Sequence, residues 1–398
     1  MRIFHGCGHV LGGTLLIAGT TIGVGMLALP VATGPSGFLP SITIYFACWL
    51  FMLCTGLLLL EVCMWMPKDA NLITMAHKLL GNVGKNICWV VYLFLFVTVM
   101  IAHIVGGGSI LREIFGASLH PAIATIGYVL LFSPIVYLGT HSVDRLNLGL
   151  MAGVIFTYLL FIFAAFGSVN ISLLHYMNWS KAWLAIPILF TAFTYQVIIP
   201  TLVTYMDRNI QKVRLAIIFG TSIPLVVYLI WEYLILGIIP VEGPGGLIEA
   251  AAGGHNAVMP LKQFLNKPSL FTIGKAFAFF TMTTSYIALA LAYLDFLADG
   301  LKIAKKGLKK VGLCLAIFIP PTFIALTYPD IFLTALGYAG GFSCAILFGI
   351  FPPLMVWIGR YKKKYDRSHQ QIPGGKVFLA ALIVFVVVEI GIEISKFF

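Results

Sequence analysis

Charge is what this chain lacks. Only 10% of its 398 residues are Asp, Glu, Lys or Arg, while 60% are hydrophobic, and the mean hydropathy is +1.00. A soluble domain carries about 25% charged residues, so an ordinary soluble fold is excluded. Acidic groups are the scarcest, 14 against 25 basic ones. The basic surplus falls in short clusters between apolar runs, the pattern of loops in a polytopic membrane protein, and nucleic acid is not an expected partner. Cysteine pairs are lacking too. Residues 7, 48, 54, 63, 88, 314 and 344 include no CxxC and no metal-like spacing with histidine, which leaves them as small core residues. There is no HExxH, no GxSxG and no carboxylate–histidine cluster, and the DxxxD of Asp295 and Asp299 is too little for metal-dependent transfer. An intramembrane enzyme is therefore disfavoured. A channel, the other rival class, would need a continuous polar lining or a repeated filter, and neither is evident.

What is present is a series of eleven apolar runs, each long enough to cross the hydrocarbon core. Their limits read as 9–34, 38–65, 86–111, 121–139, 148–170, 182–205, 213–239, 270–298, 311–327, 331–358 and 376–397. No small-x-small cleavage site follows the first run, which is expected to be retained. Placing the N-terminus in the cytoplasm puts 19 of the 25 basic residues inside and leaves Arg112, Lys181, Lys262, Lys267, Lys275 and Lys396 outside. With an odd number of spans the C-terminus then lies outside.

Connections repeat after five spans. Spans 1 and 2 join tightly and a long segment (67–85) follows; spans 6 and 7 join tightly and another long segment (240–269) follows. Because five is odd, two such units have opposite orientations, the inverted-repeat plan of many secondary transporters. The expected single transmembrane domain comprises repeat one at 9–170, repeat two at 182–358 and an extra helix at 376–397.

Span 1 carries Ala18-Gly19-Thr20-Thr21-Ile22-Gly23-Val24-Gly25. Each glycine weakens a helix by about 1 kcal/mol relative to alanine, so a broken helix is expected, close helix packing being the alternative. Its repeat partner, span 6, holds Thr191-Ala192-Phe193-Thr194-Tyr195-Gln196 and then Pro200, which removes a backbone donor. Paired interruptions in the two halves point to a midplane binding site.

The segments GTTIGVGMLALP (19–30), LLLLEV (57–62), LDFLAD (294–299), YPDIFLTALGYAG (328–340) and PGGK (373–376) resemble the hydroxy and aromatic amino acid permeases, the tyrosine- and tryptophan-specific ones above all, over nearly the whole chain. The resemblance implies an all-α, LeuT-like fold with five-plus-five inverted repeats, broken helices 1 and 6 and one extra helix. It further implies a bacterial inner-membrane symporter, not an enzyme, that imports an aromatic amino acid with a coupling ion. A hydroxy or other small neutral amino acid is the alternative substrate. No cofactor is expected, and the working unit is taken to be a monomer in the bilayer.

A zwitterion in the membrane needs both charges met. Peptide N–H groups at the break in span 1, with a helix dipole behind them, would hold the carboxylate; Thr20, Thr21, Gly23, Val24 and Gly25 are the candidates. Carbonyls around Thr191 to Thr194 would accept from the ammonium group. Phe193, Tyr195 and Tyr286 are candidate walls for a flat ring, with Gln196 facing the same site. His103, inside span 3 beside Gly106, Gly107 and Gly108, is a candidate for a phenolic hydroxyl or a proton, as intramembrane histidines mark function. Glu232, deep in span 7, is a secondary proton-relay candidate, and Glu61, Asp295 and Asp299 are expected to pair with basic loops at an inner gate.

Two departures from the family pattern stand out. Proton-coupled relatives often carry a lysine in the fifth helix, where this chain has Val154. Thr284 and Ser285 line up with the hydroxyl pair of sodium-coupled relatives and, with the carbonyls of Gly19 and Ile22, would form an all-oxygen shell. Sodium or a proton is therefore the expected coupling ion, with sodium slightly favoured. In span 6 the family tends to have Phe-Gly-aromatic-His-Gly, whereas this chain reads Phe193-Thr194-Tyr195-Gln196-Val197, which implies a narrower pocket.

Overall fold

Inside a bilayer no water is available for unpaired peptide groups, so each apolar run closes its hydrogen bonds on itself as a helix. The computed structural model describes residues 2–68, 70–116, 118–265 and 268–395, with side chains from His9 onward. Lys267, Lys396 and the last two residues of the eleventh expected run lie outside the described residues. Among the described residues ten helices are long and apolar enough to span a membrane, and the pair His9–Thr21 and Val24–Ser36, bent by 56°, counts as an eleventh when taken as one broken span. Among the described residues the only strand-like pairing is the isolated bridge between Gly37 and Met177.

In chain order the helices are α1 (Arg2–Thr21), α2 (Val24–Thr33), α3 (Phe38–Trp65), α4 (Leu72–Phe115), α5 (Pro121–Leu138), α6 (Thr140–Ala165), α7 (Ile186–Ala192) and α8 (Ile199–Tyr205). There follow α9 (Ile210–Ile238), α10 (Leu247–Ala252), α11 (Leu261–Phe264), α12 (Pro268–Leu301), α13 (Gly307–Thr327), α14 (Phe332–Tyr338), α15 (Phe351–Trp357) and α16 (Gly375–Ser395). Residues 339–350, between α14 and α15, wind as a wider π-helix. The interrupted spans are the first (α1 and α2) and the sixth (α7 and α8), as expected from their glycine and proline content.

Two boundaries differ from the sequence reading. The fifth span begins at Thr140, not near 148, because polar His141, Asp144, Arg145 and Asn147 continue a helix whose Asn147 bonds α12. The third span is one piece of a longer helix that turns at Gly81 (φ +75°), where a left-handed backbone favours glycine.

Packing places the broken spans at the centre. α1 lies along α9, α7 against the π-helical segment, and α6 and α4 both pack on α12. At one end of the molecule, basic side chains hold the elements together. Arg208, with φ +58°, donates to the carbonyls of Cys63 (3.3 Å), Met64 (2.8 Å) and Met66 (3.0 Å) at the C-terminus of α3, where a cation also suits the helix dipole. Arg360 forms a two-pronged bond to Glu61 at 2.7 and 2.6 Å, with exposures of 2% and 0%. These contacts and Lys85 and Lys302 at the cavity described below define a basic face. The opposite face is sealed by the segment after α9: the Ala257 N–H donates to Leu27 O on α2 at 2.9 Å, and Leu247 packs on Gly34.

Candidate functional site

The break in span 1 falls at Ile22 and Gly23, with Gly23 in an extended conformation (φ −158°, ψ −150°). The amides of Gly23, Val24 and Gly25 open the first turn of α2, where no earlier carbonyl of the helix is in reach. Upstream, Thr20 and Thr21 turn their hydroxyls back to Leu16 O and Ile17 O, so neither offers its Oγ1 proton to a ligand. The break in span 6 runs through Phe193, Thr194 and Tyr195. Thr194 Oγ1 donates to Phe190 O at 2.6 Å and Thr191 Oγ1 to Leu336 O at 2.9 Å.

One side chain joins the two breaks. The fully buried Tyr228 of α9 places its hydroxyl 2.7 Å from Thr21 O and 3.0 Å from Ala192 O, taking up carbonyls that each broken helix leaves open. Its ring lies 5.3 Å from that of Phe193, which is T-shaped to Tyr45. Gly25 lets the halves meet: a Cβ there would sit 2.8 Å from Ala192 Cα.

A second cluster gathers Gly23, His103, Ser285 and Tyr286. His103 Nδ1 is 2.7 Å from Val99 O, and Nε2 is 2.9 Å from Ser285 Oγ. Since a carbonyl only accepts, Nδ1 carries a proton and Nε2 faces the hydroxyl. Thr281 O, 2.7 Å from the same Oγ, competes with Nε2 for the single Ser285 proton, and a Cβ on Gly23 would lie 3.3 Å from Ser285 Cβ. Of the groups expected to hold the ion, Thr284 Oγ1 is bonded to Asn147 Oδ1 and Ser285 Oγ to His103 Nε2, while Gly19 lies beside Met151 and Ile22 at the first break.

The expected aromatic walls separate. Tyr195 runs toward α3, its hydroxyl donating to Met52 O at 3.2 Å across Gly56, where a Cβ would fall 1.9 Å from the Tyr195 hydroxyl oxygen. Gln196 follows it, with Nε2 donating to Met52 O and Thr55 Oγ1, both at 3.2 Å. Tyr286 instead packs against Tyr128 and Phe318, on α5 and α13. Gly107 serves that side as well: the Tyr128 ring would lie 2.3 Å from a Cβ there, so this glycine admits a neighbouring helix and not a ligand. Phe193, beside Tyr228, is the ring that remains at the breaks.

A cavity of about 900 Å³ opens at the basic face and reaches Gln196 and Val197 just after the break in span 6. At its rim Asp295 accepts from Lys305 at 2.8 Å, and that bond holds the Lys305 ammonium above its usual pKa. Toward the sealed face, the buried Glu232 of α9 accepts from Thr33 Oγ1 at Oε1 (2.6 Å) and from the Tyr45 hydroxyl at Oε2 (2.7 Å), tying α2, α3 and α9 together.

Sequence reasoning missed Tyr228, Tyr45 and Asn147. A signal existed for the first: Tyr228 and Glu232 are four residues apart, hence on one face of α9.

The family model described as the tryptophan/tyrosine permease family matches residues 8–393. The chain is 29% identical to a tyrosine-specific transport system of Haemophilus influenzae, covering 97% of this chain and 95% of that one. It is 30% identical to a tryptophan-specific transport protein of Pseudomonas aeruginosa, covering 94% and 92%, and 27% identical to a glutamine transporter of Aliivibrio fischeri, covering 94% and 97%. Among solved structures, a manganese transporter of Eremococcus coleocola superposes with a TM-score of 0.62 at 15% identity, covering 97% of this chain and 86% of that one; at that identity the likeness speaks for the fold.

Proposed function

The chain belongs to the tryptophan/tyrosine permease family and is a membrane transport protein, and from that premise we propose that it is an ion-coupled symporter for an aromatic amino acid, tyrosine or tryptophan foremost. The observation that carries the proposal is the meeting of two interrupted spans at Tyr228, with a cavity at the basic face that reaches Gln196 and Val197 at the end of the second break. Open peptide donors of α2 suit a carboxylate, carbonyls of span 6 suit an ammonium group, and Phe193 offers a ring edge. The named activities of its tyrosine and tryptophan relatives support the aromatic substrate; the glutamine transporter keeps a small neutral amino acid as the second reading.

The clustering of Arg208, Arg360, Lys85 and Lys302 on the open side supports a cytoplasmic basic face and a cytoplasmic N-terminus, by the bias of basic residues toward the inside. The described conformation then faces inward. The five-span spacing of the two breaks supports the repeats at 9–170 and 182–358, with a monomer as the working unit in a bacterial inner membrane. Sodium or a proton drives uptake: the hydroxyls of Thr284 and Ser285 would serve the first, and His103 or Glu232 the second.

The test is uptake by purified protein in liposomes, with tyrosine, tryptophan, phenylalanine, serine and glutamine in competition under separately imposed sodium and pH gradients. Concentrative, saturable uptake of an aromatic amino acid is expected. Preference for serine or glutamine would overturn the substrate, and non-saturable flux would overturn the carrier.

A further inference from the structure

The cavity has a wall that the central site does not use. On α4, Trp89, Tyr92 and Phe96 follow one another at three and four residues, which sets them on one face, and on α12 Tyr293 and Phe296 stand three apart. The two sets interleave. Trp89 and Phe296 are stacked at 5.7 Å and 28°, Phe296 lies 5.8 Å from Tyr92 and 5.2 Å from Phe96, and Phe96 stacks on Tyr293 at 5.1 Å and 1°. Four of these rings, Trp89, Tyr92, Phe96 and Phe296, line the cavity that Gln196 and Val197 close at its inner end.

Charges of both signs line the same cavity at its outer end. Lys85 precedes Trp89 by one helical turn, Asp295 and Asp299 occupy the last turns of α12, and Lys302 follows it. Asp295 is engaged by Lys305, whereas Asp299 is exposed and makes no ion pair within 4 Å among the described residues. A flat apolar ring and a charge of each sign, lining one cavity, are the complement of an aromatic zwitterion.

We propose that the mouth of this cavity is a second binding site for an aromatic amino acid, with the ring on the Trp89–Phe296 pair, the ammonium group at Asp299 and the carboxylate at Lys85 or Lys302. The site rests on the aromatic substrate argued above. Its contacts are half-exposed and individually weak, so it holds a leaving molecule briefly, and the ladder of rings gives the side chain an apolar route from Gln196 to the mouth.

Full-length protein in right-side-out and inside-out vesicles tests this, with tyrosine presented separately on each face. Asp299→Asn and Trp89→Leu are expected to raise the KM from the basic face by about threefold, the scale of one exposed contact, and to leave the KM from the other face unchanged. Trp89→Phe, which keeps a ring, restores the basic-face KM. Equal changes on both faces, or none on either, overturn the second site while tyrosine transport itself stands. Failure of the unaltered protein to carry any aromatic amino acid overturns both readings.

Discussion

The Tyr228 hydroxyl lies 2.7 Å from the carbonyl oxygen of Thr21, the last residue of α1, and from that position it also reaches Ala192 O on the other broken span. One proton-donating group thus serves two helix ends that come from opposite halves of the chain. Tyr228→Phe removes that group and keeps the ring beside Phe193. A buried carbonyl left without its donor costs about 1–3 kcal/mol, so initial uptake is expected to fall by about tenfold while the amount of protein in the membrane stays the same. Uptake normalised to protein in purified vesicles checks it.

The three glycines around the first break differ in what surrounds them. A Cβ at Gly25 would press on Ala192 Cα at 2.8 Å, one at Gly23 would meet Ser285 at 3.3 Å, and one at Gly19 would make an ordinary 3.5 Å contact with Met151. Gly25→Ala is expected to abolish uptake, because neither backbone can yield without parting the two breaks. Gly23→Ala should be partly active and Gly19→Ala close to the unaltered protein. The order of uptake rates in the three variants is the measurement.

Arg360 and Glu61 are buried together, and removing one partner strands the other's charge. Arg360→Met alone is expected to destabilise the protein by about 3–5 kcal/mol, and pairing it with Glu61→Leu to recover most of the loss. Thermal unfolding in detergent of the two single variants and the double variant gives the comparison.

Glu232 receives hydroxyls from Thr33 and Tyr45. Glu232→Gln keeps one acceptor oxygen, for Thr33, and its amide nitrogen can donate to the Tyr45 hydroxyl, so stability is expected to hold, whereas Glu232→Leu leaves both hydroxyls without this partner, at about 1–3 kcal/mol. Uptake under an imposed proton gradient without sodium adds a second reading: the Gln variant is expected to lose the stimulation by the gradient and to retain substrate exchange.

The spans and both interruptions were legible in the sequence because glycine and proline act locally, on the helix that contains them. Glu61 was legible as a partner for basic residues because it falls at the end of its apolar run, near the basic loops, though nothing singled out Arg360. What escaped depends on contacts between helices distant in the chain. Tyr228 is set apart from the other 15 tyrosines only by standing four residues from Glu232, which does not tell that it reaches both breaks, and no periodicity reveals that Tyr195 and Gln196 turn to Met52 on α3. The polar start of α6 reads as a loop until Asn147 is seen against Thr284. Glu389 and Glu393, four apart in α16, are buried against Gly341, and a carboxylate pair in so apolar a run was a signal that the sequence reading left unused. Trp89, Tyr92 and Phe96 were likewise visible as a three-and-four spacing among the 14% of aromatic residues; only their interleaving with α12 gives them a common purpose.

The guanidinium of Arg208 fastens the chain just beyond α8 to the tail of α3 through three carbonyl bonds. The lower half of span 6 is therefore tethered to a helix of the other repeat, and a swing of one drags the other along. Any displacement of the two helices at that face of the cavity is thus expected to be made in step, and Arg208→Ala, which severs the tether, to let each wander by itself.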